Sequence, residues 1–355
     1  MFNYGAAPAK DEVELTVFGP GYGEAIAVHF GDERWMLVDS CISPLKKLPA
    51  SLEYLRIIGV PPAKVRTILA SHWHDDHIKG LTALVKACSE AELFVSGAFN
   101  SNEAMAFLSA FGGKAVAAQT GGAKELFSSI SASKSVQFSS HRTVIWEETI
   151  QGRRMRAVGF SPTPAALAHS IANLAQYLPQ IDDPIGHVVP LKPNSEAVVV
   201  SIDLGGDGIL LGSDLEDCGP LGWSSIVGDQ WCLKNQRASA YKVSHHGSVT
   251  GDHSDIWEKL LVNEPNAVLT PFINGFVKLP NEEDCIRISK RASNAYICAD
   301  GSKRPQMDRE LSQRMVSVAK NLSPINNGFG VVRFRKRLSE KDWNIHLFGQ
   351  AKRLK

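Results

Sequence analysis

The 355-residue chain is 44% hydrophobic and 21% charged, enough apolar material to bury a sizeable core, which excludes a disordered protein. Its 38 basic and 37 acidic residues leave a net charge of +1, so no global field draws it to a polyanion, and any such site must be a local patch. The first residues lack a basic region followed by an apolar one, and no uninterrupted apolar run approaches bilayer length; a soluble, cytoplasmic protein without membrane contact is expected.

Residues 13–17 alternate into the turn Phe18-Gly19-Pro20-Gly21-Tyr22-Gly23. Segments 25–30 and 35–38 read as further strands around the polar turn Gly31-Asp32-Glu33, making a β-meander. A short helix is expected over 52–58, a buried strand over 65–70 and a helix over 81–91, which puts the intervening histidine cluster on a strand-to-helix loop. Segments 93–95 and 104–111 continue as strand and helix, after which 112–183, rich in Ser, Ala and Gly, has no clear period. A hairpin-like pair, 198–202 and 208–211, brackets Gly205-Gly206-Asp207-Gly208, and a strand over 240–243 delivers a second histidine pair. Segment 328–348 holds two β-like runs around the charged stretch 333–342 and is expected to add strands to one sheet. Without repeats or a linker, a single domain over 1–355 is the economical reading, with a core over about 11–275 and a C-terminal elaboration over 276–355. Six cysteines (Cys41, Cys88, Cys218, Cys232, Cys285, Cys298) are scattered without a Cys-x-x-Cys pair, which argues against a zinc ribbon or disulfide scaffold and predicts buried thiols.

In Ser71-His72-Trp73-His74-Asp75-Asp76-His77, three of 11 histidines fall within six positions among carboxylates, at the end of an apolar strand. A solvated polar loop is the ordinary reading of an isolated histidine. Here, burying three imidazoles beside carboxylates without a cation would cost roughly a few kcal/mol per unmatched group. Alternate residues of an extended segment project together, so His72 and His74 are expected to grip one ion and Asp76 and His77 to face a second. Asp214, just past a short apolar strand, can bridge two cations or else cap a helix starting near Leu215. His245 and His246 point to opposite sides if extended. One is expected to ligate, and the position before Gly247 favours His246, leaving His245 to touch substrate or donate a proton.

The His-x-His-x-Asp-His pattern, followed by Ile78-Lys79-Gly80, resembles the signature of the metallo-β-lactamase superfamily, whose α/β fold is an αββα four-layer sandwich. Leu210-Leu211-Gly212-Ser213-Asp214 resembles the family segment whose aspartate bridges two metals, and Lys242-Val243-Ser244-His245-His246-Gly247-Ser248 its last ligand loop. Phe18 to Ala25, Leu37-Val38-Asp39-Ser40, Pro193-Asn194-Ser195 and the His-His-Gly-Ser loop resemble the competence-type branch, which includes hydrolase domains of DNA-uptake proteins and some phosphodiesterases. That branch has Asn-Ser where other members carry another metal histidine. The resemblance therefore implies His72, His74, Asp214 and water on the first metal, with His169 or His187 as alternative sources of the missing imidazole. Tyr22 replaces a common glutamine, and Val38-Asp39-Ser40-Cys41 lacks the usual glycine.

The chemistry this implies is two-metal hydrolysis with Zn2+ or Mn2+. Two ions lower the pKa of a bridging water, Asp76 and Asp214 hold the metals and orient that water, and His245 stabilises the leaving oxygen. Phosphodiesters are the expected substrate, as for a nuclease or phosphodiesterase, with Lys79, Lys242, Arg333, Arg335, Lys336 and Arg337 as contacts to nucleic acid. The ordinary reading of the Arg333 to Arg337 run is a solvated edge-strand face, because Lys and Arg commonly guard exposed edges. Two alternatives stand beside this. One is a small-molecule hydrolase (lactone, thioester, β-lactam or phosphorylated metabolite) with a pocket closed by 112–183 and lined by Trp73, Trp223 and Trp231. The other is a non-catalytic metal-binding component of a larger assembly.

Overall fold

The computed structural model describes residues 3–19, 23–44, 46–112, 121–176, 193–299 and 328–354; Pro20, Gly21, Tyr22 and His187 lie outside them. The chain opens with β1 (Glu12–Gly19), β2 (Ala25–His29), β3 (Trp35–Val38), α1 (Ala50–Ile57), β4 (Val65–Ala70), α2 (Asp75–Ile78), α3 (Leu81–Ala87) and β5 (Glu92–Ser96). α4 (Asn102–Gly112) leads into the stretch that carried no readable period. That stretch holds α5 (Gly121–Ala132), β6 (Val136–Ser139), β7 (Val144–Ile150), β8 (Arg153–Gly159) and α6 (Pro164–Gln176). Next come β9 (Val200–Asp203), β10 (Gly208–Leu211), α7 (Trp223–Gly228), α8 (Gln230–Leu233), β11 (Ala238–Lys242) and β12 (Leu261–Leu269). A small hairpin of β13 (Phe272–Asn274) and β14 (Val277–Leu279) precedes α9 (Glu282–Arg291) and β15 (Asn294–Ile297). β16 (Gly330–Arg337), β17 (Asn344–Gly349) and β18 (Lys352–Arg353) close the chain.

The strands form two eight-stranded sheets, in the orders β17-β16-β1-β2-β3-β4-β5-β6 and β18-β15-β12-β11-β10-β9-β8-β7. Alternation along each strand builds the layers. Val13, Leu15 and Val17 face inward and join Val200, Ile202, Ile209 and Leu211 in a core between the sheets. On the outer face of the first sheet, Leu37, Ile68 and Leu93 pack against Tyr54, Leu84, Phe107 and Leu126 from its helices. On the outer face of the second, Leu210, Tyr241 and Ala267 pack against Trp223, Ile226 and Ile288. The result is the expected helix-sheet-sheet-helix sandwich. Two sets of parallel strands, β3-β4-β5-β6 and β10-β11-β12-β15, run through it, and the loops bearing His72, Asp214 and His246 follow the carboxyl ends of β4, β10 and β11. Among the described residues no helix is long and apolar enough to cross a membrane.

The C-terminal runs do add strands to one sheet, but the basic residues of β16 do not form a solvated edge. β16 lies between β1 and β17, so both of its backbone edges are paired. Arg333 and Lys336 are each only 4% exposed. Arg333 donates to the Tyr4 carbonyl at 2.8 Å, and Lys336 is paired with Asp207. Arg335 donates to Glu14 at 2.7 Å, a fully buried carboxylate that also accepts from Tyr54 at 2.5 Å and Thr16 at 2.7 Å. Of the run, only Arg337 is exposed, paired with the half-exposed Asp11. No disulfide links the cysteines; Cys41, Cys88, Cys232 and Cys298 are buried, whereas Cys218 is exposed and Cys285 half-buried, contrary to the expectation of six buried thiols.

Removing Arg335 strands a buried carboxylate, whereas removing Arg337 breaks a surface pair. Arg335→Ala should therefore lower unfolding stability by about 3–5 kcal/mol and Arg337→Ala by less than about 1 kcal/mol. Urea titration of the two variants checks this, and equal effects would show that the run is solvated after all.

Candidate metal centre

Each site residue leaves a strand that is locked on both sides, and the loops that follow are tight. Asp39, Ser213, His245 and His246 hold left-handed φ values of +59°, +46°, +45° and +53°, each costing roughly 1–3 kcal/mol for a non-glycine residue. At Gly212 a side chain would meet the Ser244 backbone nitrogen at 2.9 Å, so glycine lets the Asp214 loop press against the histidine loop. No helix begins at Leu215, which leaves Asp214 without a capping role.

Asp76 and His77 of the short α2, Asp214 and His246 come together from three segments, all buried, with one ligand atom from each lying within 4.8 Å of the others. His246 Nε2 is 3.2 Å from a carboxylate oxygen of both Asp76 and Asp214, and His77 Nε2 is 3.5 and 3.3 Å from the same two groups. His72 Nε2 lies 3.2 Å from His74 Nδ1 beside this cluster.

The opposite ring nitrogens are held by neighbours that sequence reasoning assigned no role. His77 Nδ1 donates to Asp39 at 2.7 Å. Asp39 also accepts from the Ser71 backbone at 2.7 Å and the Ser71 hydroxyl at 2.8 Å, and that hydroxyl in turn accepts from His72 Nδ1 at 3.0 Å. His246 Nδ1 donates to the Thr270 carbonyl at 3.2 Å, while the Thr270 hydroxyl donates to Glu24 at 2.6 Å. Glu24 closes the chain with a 2.6 Å ion pair to Lys242, both groups fully buried. Lys242 is thereby withdrawn from any contact with nucleic acid. The available signal was a buried Asp or Glu beside an otherwise apolar strand, at Asp39 and Glu24.

With Nδ1 protonated and engaged, His72, His77 and His246 aim bare Nε2 lone pairs into the cluster, where two of them face carboxylates. Lone pair against lone pair requires a positive charge between. His77 Nε2 and Asp214 Oδ1 are buried and make no hydrogen bond, although His77 touches Asp214. Burial alone would pull both His77 and His246 down. Instead Asp214 and Asp76 hold His77 well above the usual imidazole range and push His246 up to about 9. Burial would raise the two aspartates, yet the facing imidazoles hold both below the usual carboxylate range. His72 and His74 are pulled down by burial, which keeps them neutral and fit to ligate. The protons drawn to His77 and His246 mark where a cation fits, and the nitrogen and oxygen donor set suits zinc or manganese.

His245 is kept out of this cluster. Its Nδ1 lies 2.8 Å from the Thr250 hydroxyl and 3.6 Å from Glu216, and its Nε2 is 3.4 Å from Asn194, whose amide donates to Glu216 at 2.6 Å. Asn194 Oδ1 is buried and makes no hydrogen bond. His169 is exposed and bonded to Asn173. Trp73 and Trp223 are core residues: Trp73 donates to Glu196 at 3.0 Å, and Trp223 donates to the Leu215 carbonyl at 2.9 Å. Trp231 packs against Phe160 and His141.

Residues 18–95, from the end of β1 through the histidine loop to β5, match the family model described as the metallo-beta-lactamase superfamily. No curated protein matches the chain in sequence. Among solved structures it is similar to the metallo-beta-lactamase fold protein YhfI from Bacillus subtilis, at 12% identity over 81% of this chain and 95% of that one, with a TM-score of 0.43. It is also similar to the metallo-beta-lactamase SMB-1 bound to 2-mercaptoethanesulfonate, at 13% identity over 69% and 82% of the two chains, with a TM-score of 0.36. A third is zinc-bound PqqB from Methylobacterium extorquens, at 14% identity over 62% and 56%, with a TM-score of 0.31.

The His72-Trp73-His74 loop is braced by Glu196, which also accepts from Ser170 at 2.5 Å and whose carboxyl burial pushes up to about 7. The folded state therefore binds this proton more tightly than the unfolded chain. Its contribution is fully present below the unfolded value and is lost as pH rises towards 7, by up to roughly 3 kcal/mol. Glu196→Gln should flatten the fall in unfolding stability between about pH 4.5 and 7. An unchanged slope in denaturant titrations across that window would show that Glu196 is ionised in the folded protein.

Proposed function

We propose that this chain is a two-metal hydrolase acting on phosphodiester bonds. The observation that carries the reading is the convergence of Asp76, His77, Asp214 and His246, with Nδ1 of each imidazole already bonded and the Nε2 ends facing carboxylates. His77, His246, Asp76 and Asp214 would hold one cation, and His72, His74 and Asp214 the other. Bound there, a pair of divalent cations supplies Lewis acidity and lowers the pKa of water at the site.

The chain's own groups do the rest. Asp76 and Asp214 orient the attacking water through their carboxylate oxygens, and Asp39, Ser71 and Thr270 keep the imidazoles in the tautomer that leaves Nε2 bare. His245 stands beside the cluster with Thr250, Glu216 and Asn194 around its ring, placed to stabilise or protonate the leaving oxygen. The unpartnered Asn194 Oδ1 is a polar contact for a substrate hydroxyl or amide. Two cations suit the attacking and leaving oxygens of an in-line phosphoryl displacement, and the competence-type motifs, including Asn194-Ser195, agree with that chemistry.

A second reading, hydrolysis of a small ester, lactone or thioester, is favoured by one observation. Lys242, Arg333, Arg335 and Lys336 are all committed to internal partners and cannot line a polyanion groove. For that reason a small phosphodiester is preferred to a long nucleic acid.

Elemental analysis of purified protein should find two ions per chain, and manganese or zinc should support cleavage of a chromogenic phosphodiester. Asp214→Ala should abolish turnover and lower bound metal. His245→Ala should retain metal and slow turnover by about 100-fold or more. Two ions with turnover confined to esters or lactones would transfer the assignment to the second reading, and a metal-free, inactive protein after supplementation would refute both.

A further inference from the structure

A second group of metal-ligating side chains lies apart from the Asp76–Asp214 centre and shares no residue with it. His141 sits in the turn where the chain crosses from β6 of one sheet to β7 of the other, Asp229 caps the start of α8 and Cys232 lies in its first turn. One atom from each lies within 4.8 Å of the others. We propose that His141, Asp229 and Cys232 form a separate binding site for a thiophilic divalent cation, zinc or cobalt, that ties the sheet-crossing turn to α8.

The geometry of the individual groups supports this. His141 Nδ1 lies 3.1 Å from the Phe160 carbonyl, which can only accept, so that nitrogen carries the proton and Nε2 is left with its lone pair. Asp229 Oδ1 accepts from the Trp231 backbone at 2.8 Å, which frees Oδ2. The two free ends, His141 Nε2 and Asp229 Oδ2, meet at 2.7 Å, and two acceptors at that separation require a positive charge at the contact. The half-exposed Arg142 supplies one at the edge, with Nε 3.0 Å from His141 Nε2 and Nη2 3.3 Å from Asp229 Oδ2. Its guanidinium also lies 5.4 Å over the Trp231 ring, so it can give up both contacts to a cation without losing that stacking.

Cys232 adds the donor that selects the ion. Its thiol is buried, in no disulfide, and is pushed up to about 12 by burial and by Asp229, so without a cation it remains neutral. A bound cation displaces that proton to solvent and takes the thiolate. Thiolate, imidazole and carboxylate from three residues leave a fourth position for water, a set that suits zinc and disfavours manganese or magnesium. The backbone is already in place: His141 N donates to the Pro162 carbonyl at 3.0 Å and Arg142 N to the Gly159 carbonyl at 2.8 Å. Arg142 holds φ at +69°, a left-handed conformation that its neighbours enforce.

Cobalt titration of metal-stripped protein tests the site, because a thiolate bound to Co2+ gives a charge-transfer absorption that ligation by imidazole and carboxylate does not. The wild type should develop this band on full loading. Cys232→Ser should lose the band and one equivalent of bound zinc while retaining the ions of the Asp76–Asp214 centre. Asp229→Asn, which keeps the bond from Trp231 N, should lose the same equivalent, and this covers the case in which the serine variant folds poorly. Absence of the band at full loading, its survival in Cys232→Ser, or unchanged zinc stoichiometry in Asp229→Asn would overturn the proposal. Because the readout is a difference of one ion, it does not depend on what the first centre hydrolyses.

Discussion

Four carboxylates, Glu24, Asp39, Asp76 and Asp214, are buried at one end of the sandwich, and their charge has to be met there. Each would cost several kcal/mol to desolvate unmatched. Asp39 is satisfied by Ser71 and His77, and Glu24 by Lys242 and Thr270. Asp76 and Asp214 are left facing His77 and His246, which already spend their Nδ1 protons elsewhere. Only positive charge at the Nε2 ends balances this arrangement. Protons can provide it, which is why both imidazoles hold theirs so strongly; divalent cations provide more of it from the same space.

The sandwich makes such a concentration of charge affordable by separating where stability arises from where it is consumed. Apolar cores lie between the sheets and on both outer faces, and the site occupies the loops beyond the strand ends, where the backbone runs through left-handed conformations at Asp39, Ser213, His245 and His246. Those conformations aim carboxylates and imidazoles at a common point, and the strand pairing behind them prevents relaxation. The Lys242–Glu24 pair shows the same coupling. It joins the end of β11 to the start of β2 and reaches His246 through Thr270, so one buried ion pair connects sheet packing to the orientation of a ligand.

What could be read from the chain alone follows from how local each signal is. His72, His74, Asp76 and His77 lie within six positions, and Asp214 and His246 each follow a short apolar strand, so residue type, spacing and strand end coincide. The sheets were legible for the related reason that buried parallel strands such as β4 are short apolar runs. Segment 112–183 was not: in β7 the buried Ile145, Trp146 and Ile150 are interspersed with Glu147, Glu148 and Thr149, so apolar and polar residues do not strictly alternate. The basic run of β16 was misread because its partners are remote in sequence. Glu14 is 321 residues from Arg335, and Asp207 is 129 from Lys336; no local pattern distinguishes a strand whose charges are internally matched from one that carries them on an edge. The same remoteness hides His141, an isolated histidine whose neighbour Arg142 is 87 residues from its partner Asp229.

This distribution of charge also bears on recognition. A protein that binds a polymer of phosphates ordinarily meets the charge with a stripe of free lysine and arginine, and binding then tracks counterion release. Here four of the six cationic side chains that sequence position suggested for that task, Lys242, Lys336, Arg335 and Arg333, are matched inside the fold by Glu24, Asp207, Glu14 and the Tyr4 carbonyl, whereas Lys79 and Arg337 are exposed. Under the proposed function, a negatively charged substrate would find its complement in cations held by the aspartates and histidines. Selectivity must come from hydrogen-bonding groups at the rim, of which Asn194, Glu216 and His245 form one mutually bonded set. On the proposed reading, affinity and selectivity fall on different residues, so substitutions at Asn194 or Glu216 would alter substrate choice while the Asp76–Asp214 cluster would keep the means of hydrolysis.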